Sequence, residues 1–376
     1  MNYFETYSSM SIGAGANQLY FDSEEGRKIT GLAFFKIAVS GKYTYSLLFS
    51  DVLDSTYADG SKGFANLKLG GYKIHRISVG RCKEFPFSNV KDAKPWESLI
   101  ENETVLTFEG NQEKIVDGPV YTDGKKLYFD KGDYIAVKIT FSGKKIPYHP
   151  ESILPIYKKT DTGYEYSVNM PLPLMIGAKR AVRERIGYLG DSITQGIGTE
   201  FNAYRHWCAL LSEMIGTEYS HYNLGIGYAR ASDAATDGPW LARAKTCDTV
   251  FLCLGTNDVA HDKGGAESII ESLNTIICKL KAANCRIILQ TEPPFDRVGE
   301  RKIVWFETNE LIKERLSGKV DLLFDNVPIL GLSEEEPERS KYNGHPNAEG
   351  CKVWAEALYE ATRYLFKGEK NDQSDS

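Results

Sequence analysis

The chain has 376 residues, of which 42% are hydrophobic and 26% charged, and this length exceeds what one hydrophobic core ordinarily supports. The formal net charge of −6 argues against nucleic acid as a partner, because proteins that bind nucleic acid usually present a basic surface. The sequence contains no apolar run of the roughly 18–20 residues that a membrane-spanning helix requires, so we expect no membrane partner either.

Residues 1–178 have the texture of a β domain. Short hydrophobic runs alternate with turns rich in Gly, Asp and Ser, and no long helical period interrupts them. Strands at this spacing are typical of an antiparallel β-sandwich, and we predict a jelly-roll-like accessory domain. The predicted strands are 32–39, 42–49, 71–79, 126–129, 133–141 and 145–148.

Residues 179–366 alternate between apolar runs and helical patterns, which predicts a doubly wound parallel α/β sheet. We place the domain boundary near Ala178, between a Pro-rich strand at 170–175 and the run that starts at Arg185. The polar residues 367–376 predict a flexible tail. The predicted strands are 185–189, 219–224, 249–254, 286–290 and 320–324, and the predicted helices are 203–215, 266–283, 304–316 and 347–366.

Four polar clusters stand where ligands bind in such sheets. Three of them directly follow predicted strands, and the fourth opens the last predicted helix. Ligands of open α/β sheets bind outside the carboxyl ends of the strands, so we expect the four clusters to meet at one edge. They are Gly-Asp-Ser-Ile-Thr-Gln-Gly at 190–196, Asn-Leu-Gly-Ile-Gly at 223–227, Gly-Thr-Asn-Asp at 255–258 and Gly-His-Pro-Asn at 344–347.

These four clusters resemble blocks I, II, III and V of the SGNH/GDSL hydrolase superfamily, in the same order. Each block alone is common, and it is their joint order over about residues 185–361 that carries the resemblance. A serine hydroxyl is a weak nucleophile until a base accepts its proton. The resemblance accordingly implies a serine hydrolase with Ser192 as nucleophile and His345 as general base.

The resemblance also implies three donors for the tetrahedral oxyanion, which needs preorganised N–H groups. They are the backbone N–H of Ser192, a backbone N–H from the second cluster, and the side-chain amide of Asn257. In the second cluster the last glycine comes one residue earlier than in the usual pattern. We therefore assign the donor to Gly227 and keep Gly225 as the alternative.

The acid that usually orients the histidine is missing from its expected position. The family ordinarily carries Asp three residues before the base, and here that position is Tyr342. Three interpretations stay open. A backbone carbonyl orients His345, giving a Ser-His dyad; Glu336 or Glu338 supplies a displaced acid; or the site is impaired.

Further residues near the clusters have both a functional and a structural interpretation. The segment 292–297 could line the pocket or simply connect a strand to a helix, and His261, Arg230 and Trp240 are pocket-wall candidates of the same kind. Asp191 and Asp258 fit a role in organising turns or helix starts better than a role in the reaction.

No metal or cofactor is expected. The six histidines are scattered without zinc-binding spacing, and no dinucleotide or phosphate-binding motif is present. The seven cysteines include no CxxC pair and predict small buried side chains in a reducing compartment. The N-terminal residues lack the pattern of a signal peptide, which predicts a cytoplasmic location if Met1 is the native start.

A β-sandwich that precedes such a hydrolase domain resembles the architecture of carbohydrate esterase family 2. We therefore expect a serine esterase that removes small acyl groups, O-acetyl above all, from a small-molecule or oligosaccharide ester. The alternatives are a lipase-like enzyme or thioesterase for longer acyl chains, and a carbohydrate-binding protein with an impaired hydrolase domain. The sequence predicts neither the sugar nor the oligomeric state.

Overall fold

The structure is a computed structural model that describes residues 3–56, 64–85, 89–94, 97–261 and 264–367, so most of the predicted tail lies outside the described residues. Its N-terminal region is built from short strands. They are β1 (Ser8–Ser9), β2 (Leu19–Asp22), β3 (Ile29–Lys36), β4 (Gly41–Phe49), β5 (Tyr72–Cys82), β6 (Glu101–Leu106), β7 (Lys114–Val116), β8 (Val120–Tyr121), β9 (Lys125–Phe129), β10 (Tyr134–Ser142), β11 (Lys145–Tyr148), β12 (Ile156–Thr160), β13 (Gly163–Tyr166) and β14 (Met175–Lys179), preceded by the helical turn α1 (Tyr3–Thr6).

These strands form antiparallel sheets that share a core. One sheet has the order β13-β12-β3-β10-β5-β6 with β7 beside β5, and another has the order β1-β14-β4-β8 with β9 beside β4. Buried side chains from both, including Val137 of the first sheet and Leu47 of the second, belong to one hydrophobic cluster. The predicted antiparallel sheets of the N-terminal region are thus confirmed, whereas the jelly-roll connection stays a prediction.

The end of the N-terminal region differs from the prediction. Residues 170–174 are not a strand; the strand is β14, which pairs with β4 and with β1 near the chain start. Pro171 and Pro173 lack the backbone N–H that a strand inside a sheet must donate, which explains why pairing begins only after them. The next strand starts at Arg185, and the boundary near Ala178 stays a prediction.

The C-terminal region alternates strands and helices as predicted, and its sheet is parallel with the order β16-β15-β17-β18-β19. The doubly wound fold is therefore confirmed. Its strands are β15 (Arg185–Gly190), β16 (Ser220–Gly225), β17 (Thr249–Cys253), β18 (Arg286–Gln290) and β19 (Leu322–Phe324). Its helices are α2 (Ser192–Gln195), α3 (Trp207–Ile215), α4 (Ala231–Ala235), α5 (Pro239–Ala244), α6 (Thr256–His261), α7 (Gly265–Ala282), α8 (Glu300–Leu311), α9 (Val327–Leu330) and α10 (Ala348–Lys367), with a π-helical turn at Ile312–Leu316.

Both faces of the parallel sheet are covered, as its uninterrupted apolar strands require. Phe251 of β17 packs with Trp207 and Trp354 on one face, where the two indole rings stack 5.0 Å apart. Val250 and Leu252 point to the other face and pack with α7. Among the helices of the described residues, none has the length and apolarity needed to cross a membrane.

Helix α3 starts four residues later than predicted. Asn202 and Tyr204 have φ angles of 60° and 55°, in the left-handed region, so the chain there cannot be part of a right-handed helix. Strand β15 lies between β16 and β17, so the chain adds strands first on one side of β15 and then on the other. In open α/β sheets this change of side creates the crevice in which ligands bind.

Candidate active site

Ser192 stands where β15 ends in this crevice. The preceding Asp191 is extended and caps α2, with its carboxylate Oδ1 accepting the Ile193 N–H at 2.9 Å. The predicted role of Asp191 in organising the turn is thereby confirmed. Ser192 opens the helix, and within the described residues its backbone N–H has no acceptor, as is usual for a first helical turn.

His345 lies against this serine. Its Nε2 is 2.8 Å from the Ser192 Oγ, within the range that a general base requires. The loop after the nucleophile approaches the histidine closely at Gly198, where φ is 100°. A Cβ at that position would lie 2.8 Å from the Cβ of His345, so only glycine allows both the backbone conformation and the approach.

Packing holds the imidazole of His345. The ring of Phe295 meets it edge to face, with the ring centroids 4.9 Å apart and an interplanar angle of 75°. Phe295 also contacts the backbone next to the histidine, because a Cβ on Gly344 would lie 3.2 Å from its ring. Across the described ranges, neither a carboxylate nor a backbone carbonyl accepts a hydrogen bond from the Nδ1 of His345.

The two predicted acids are occupied elsewhere. The buried carboxylate of Glu338 pairs with Lys302, and exposed Glu336 pairs with Arg339 at 3.1 Å. Neither glutamate contacts His345, because each is held by a cation of its own. Nor does the residue at the usual acid position take over the role: the buried Tyr342 packs over the start of α10.

The charge near His345 has the opposite sign to that of an orienting acid. Burial lowers the pKa of the imidazole, and the guanidinium of Arg297 lowers it further. Arg297 lies over the face of the Phe295 ring at 4.6 Å and donates from Nη2 to the carbonyl of Thr256 at 2.7 Å. Both effects favour the neutral imidazole, which is the form able to accept a proton.

Asn257 lies in the first turn of α6, beyond the end of β17. One N–H of its side-chain amide is donated to the carbonyl of Ala229 at 3.0 Å, and the second remains for another acceptor. The neighbouring Asp258 accepts the Ala231 N–H at 2.8 Å, which confirms its predicted role at a helix start.

Both candidate glycines of the second cluster already donate their N–H groups within the protein. The Gly227 N–H bonds to the side-chain oxygen of Gln195 at 2.6 Å, and the Gly225 N–H to that of Asn223 at 2.8 Å. Gly227 stays a predicted oxyanion donor, and its use requires exchanging the Gln195 oxygen for the substrate. This competition could not be predicted from the sequence, because Gln195 is remote from Gly227 along the chain.

A pair of buried carboxyl groups lies behind the nucleophile and the oxyanion amide. The Thr256 hydroxyl donates to Glu292 Oε2 at 2.8 Å, and it also contacts Asp191, the cap of the nucleophile helix. Burial raises the pKa of Asp191 to about 7, and burial together with nearby Asp191 raises that of Glu292 to about 8. This network links the turns that carry Ser192 and Asn257.

The segment 292–297 therefore does more than connect a strand to a helix, since Glu292, Phe295 and Arg297 brace both halves of the site. The sequence indicates the segment as a pocket-wall candidate but no role for its individual members. Trp240, in contrast, is buried and donates to the carbonyl of Leu224 at 2.9 Å, so it does not line the site.

Two side chains of the N-terminal region also reach the site. Gln18 donates from Nε2 to the carbonyl of Gly227 at 2.7 Å and to the carboxylate of Glu151 at 3.0 Å. Neither residue could be predicted from the sequence, because no motif connects Gln18 or the turn of Glu151 with the glycine turn of the second cluster.

Potential ligands for metals are dispersed. Over the residues that the structure describes, no group of three His, Cys, Asp or Glu side chains could hold a metal ion. The cysteines are all free thiols, buried as predicted except for exposed Cys278.

Comparison with known families agrees with this geometry. Residues 188–353 match the GDSL-like lipase/acylhydrolase family. This region is a GDSL-like hydrolase domain. The chain is accordingly an esterase-type enzyme, and the four clusters that predicted the domain all lie within the matched residues.

Solved structures similar to the chain include GDSL-type esterases. A family two carbohydrate esterase from Clostridium thermocellum, in complex with cellohexaose, is 12% identical, with 96% of this chain and 98% of that chain covered and a TM-score of 0.42. Est24, a carbohydrate acetylesterase from Sinorhizobium meliloti, is 17% identical over 49% of this chain and 100% of its own, with a TM-score of 0.40. A lipolytic protein of the G-D-S-L family from Veillonella parvula is 20% identical over 48% and 98%, with a TM-score of 0.38. Similarity this distant says nothing about substrate, and a search of curated protein sequences found no significant match.

Proposed function

We propose that the GDSL-like domain is a serine esterase that removes small acyl groups, chiefly O-acetyl groups, from carbohydrates. The observation that carries the proposal is the 2.8 Å contact between the Ser192 hydroxyl and the Nε2 of His345. A hydroxyl paired with a base and flanked by N–H donors is the arrangement that acyl transfer requires.

In this mechanism Ser192 Oγ attacks the ester carbonyl while His345 Nε2 accepts its proton. The oxyanion that forms is stabilised by the Ser192 N–H and the second N–H of Asn257, with Gly227 as the predicted third donor. The imidazolium then gives its proton to the departing alcohol and leaves an acyl-serine. Water, deprotonated by the same imidazole, hydrolyses that intermediate and restores the serine. The mechanism requires neither a metal nor a cofactor.

The polar surroundings favour a hydroxylated alcohol over an aliphatic one. The amide of Gln18 bonds to the Gly227 carbonyl, and the carboxylate of Glu151 lies where a Cβ of residue 227 would be. Transferring such groups into contact with an alkyl chain costs free energy, since their hydrogen bonds to water are lost without replacement. Sugar hydroxyls replace those bonds, so a carbohydrate ester fits this side of the site.

A series of p-nitrophenyl esters tests the acyl preference. We expect kcat/KM to be highest for acetate and to fall steeply for butyrate and octanoate. A maximum at butyrate or longer would assign the enzyme to lipase-like or thioesterase chemistry instead.

The preference for the alcohol part of the ester is tested with acetylated oligosaccharides. Acetylated mannan, xylan and chitin oligosaccharides are treated with the enzyme and analysed by mass spectrometry, where each removed acetyl group lowers the mass by one ketene unit. We expect deacetylation of at least one class by the wild type and none by Ser192→Ala. Binding of oligosaccharide without any release of acetate would instead indicate an impaired hydrolase.

A further inference from the structure

The N-terminal region is attached directly to the nucleophile turn through the loop that follows β11. The side chain of Gln195, in the helix that Ser192 opens, donates to the carbonyl of Glu151. After the end of that helix the Asn202 N–H donates to the carbonyl of Ile153 at 3.0 Å. These bonds fix the position of Glu151 relative to Ser192, although one residue belongs to the N-terminal region and the other to the C-terminal region.

The carboxylate of Glu151 rests on the second cluster. A Cβ built on Gly227 would lie 1.7 Å from Glu151 Oε2, so the carboxylate occupies the space that any side chain at position 227 would fill. Gln18 Nε2 bridges the two by donating both to this oxygen and to the Gly227 carbonyl. Glu151 therefore lies beside the residue whose N–H is the predicted third oxyanion donor.

This carboxylate is only partly satisfied. Among the residues that the structure describes, no Lys, Arg or His pairs with it, and its one hydrogen bond comes from the neutral amide of Gln18. Burial raises the pKa of Glu151, and its Oε1 has no hydrogen-bond donor in the same residues. One oxygen of this carboxylate is thus left without a donor.

The charge of the Glu151 carboxylate affects acyl transfer. Negative charge next to a developing oxyanion opposes acyl transfer, because like charges repel strongly where water is excluded. A hydroxyl donor from the substrate compensates by hydrogen-bonding to the carboxylate and spreading its charge, and hydrogen bonds to charged acceptors are the stronger kind.

We propose that Glu151, positioned by Gln18, determines specificity by accepting a hydrogen bond from the substrate. The donor is a free sugar hydroxyl next to the oxygen that carries the acetyl group. The proposal rests on the proposed carbohydrate esterase function. It makes the N-terminal region part of the substrate site and predicts that an ester without hydroxyls gains nothing from Glu151.

The test compares kcat/KM on an acetylated oligosaccharide with kcat/KM on p-nitrophenyl acetate, which has no sugar hydroxyl. For Glu151→Ala we expect a loss of about 10- to 100-fold on the oligosaccharide, the range of one hydrogen bond to a charged group. The loss on p-nitrophenyl acetate should be at least tenfold smaller. Glu151→Gln, which keeps the shape and one acceptor, should lie between wild type and Glu151→Ala. Exposed Glu165→Gln, in the same region, is the matched control and should leave both activities within about twofold.

The outcomes separate the two proposals. Equal losses on both substrates would mean that Glu151 merely supports the Gly227 turn and would overturn its role in specificity. No loss on either substrate would overturn it as well. A larger loss on acetylcholine than on the oligosaccharide would assign the carboxylate to a cation instead. If the wild type hydrolyses p-nitrophenyl acetate but no sugar acetate, the carbohydrate function itself fails, and the specificity proposal fails with it.

Discussion

The two partners of the reaction are held by different forces. The turn of Ser192 is fixed by hydrogen bonds: Asp191 caps its helix, and Gln195 ties it to Gly227 and to Glu151. His345 is instead fixed by packing against Phe295 and by the close approach of Gly198. A hydrogen bond to a carboxylate both orients a side chain and places a charge beside it, whereas apolar packing only orients the side chain. This site positions its base without the negative charge that would stabilise the imidazolium.

Removing the base should have the largest effect. His345→Ala leaves the Ser192 hydroxyl without a proton acceptor, and we expect kcat for p-nitrophenyl acetate to fall by at least about 10³. His75→Ala, a histidine of the N-terminal sheet bonded to Ser142, is the control and should retain wild-type activity. A loss below tenfold for His345→Ala would remove the histidine from the reaction.

Phe295→Ala tests whether packing positions the base. The imidazole loses its edge contact and can move by about 1 Å, so we expect kcat to fall by about 10²-fold with little change in KM. Phe306→Ala removes a comparable edge-to-face pair with Trp305 outside the site and serves as the control for stability. Wild-type kcat in Phe295→Ala would show that another group orients His345.

The buried carboxyl pair of Asp191 and Glu292 makes the stability of the protein depend on pH. Glu292 has a pKa of about 8 in the folded protein and about 4.3 when unfolded, so the folded state holds an extra proton between these values. The free energy of unfolding therefore falls as pH rises through this window, and the contribution is lost above about pH 8.

Glu292→Gln mimics the protonated acid and can still accept the Thr256 hydroxyl. We expect its melting temperature to fall less than that of the wild type between pH 5 and 8.5. Exposed Glu307→Gln should follow the wild-type curve. Parallel curves for Glu292→Gln and wild type would show that Glu292 is ionised across the whole range.

Replacing the predicted acids should matter least. Glu338 and Glu336 pair with cations away from His345, so Glu338→Gln and Glu336→Gln should each lower kcat by less than about tenfold. Loss of a true triad acid costs about 10⁴ in the worked serine-protease case. A loss of about 10³ in either variant would show that packing alone does not orient the base.

The contrast between the two halves also separates what the sequence could predict from what it could not. Alternating strands and helices, and polar clusters at strand ends, are local patterns, so the fold and the contact between Ser192 and His345 could be predicted. Glu292 and Glu151 act through space from segments with no motif of their own. Gln195 takes up the Gly227 N–H through a contact that depends on side-chain geometry. Local periodicity carries no information on such contacts.

The most direct test of the central claim is covalent labelling of the nucleophile. The enzyme is incubated with a fluorophosphonate, which transfers its phosphonyl group to an activated serine, and the adduct is located by peptide mass spectrometry. We expect one adduct, on Ser192. The adduct should form far more slowly in His345→Ala, and Ser192→Ala should show neither the adduct nor ester hydrolysis. An adduct on another residue, or unchanged hydrolysis by Ser192→Ala, would contradict the account.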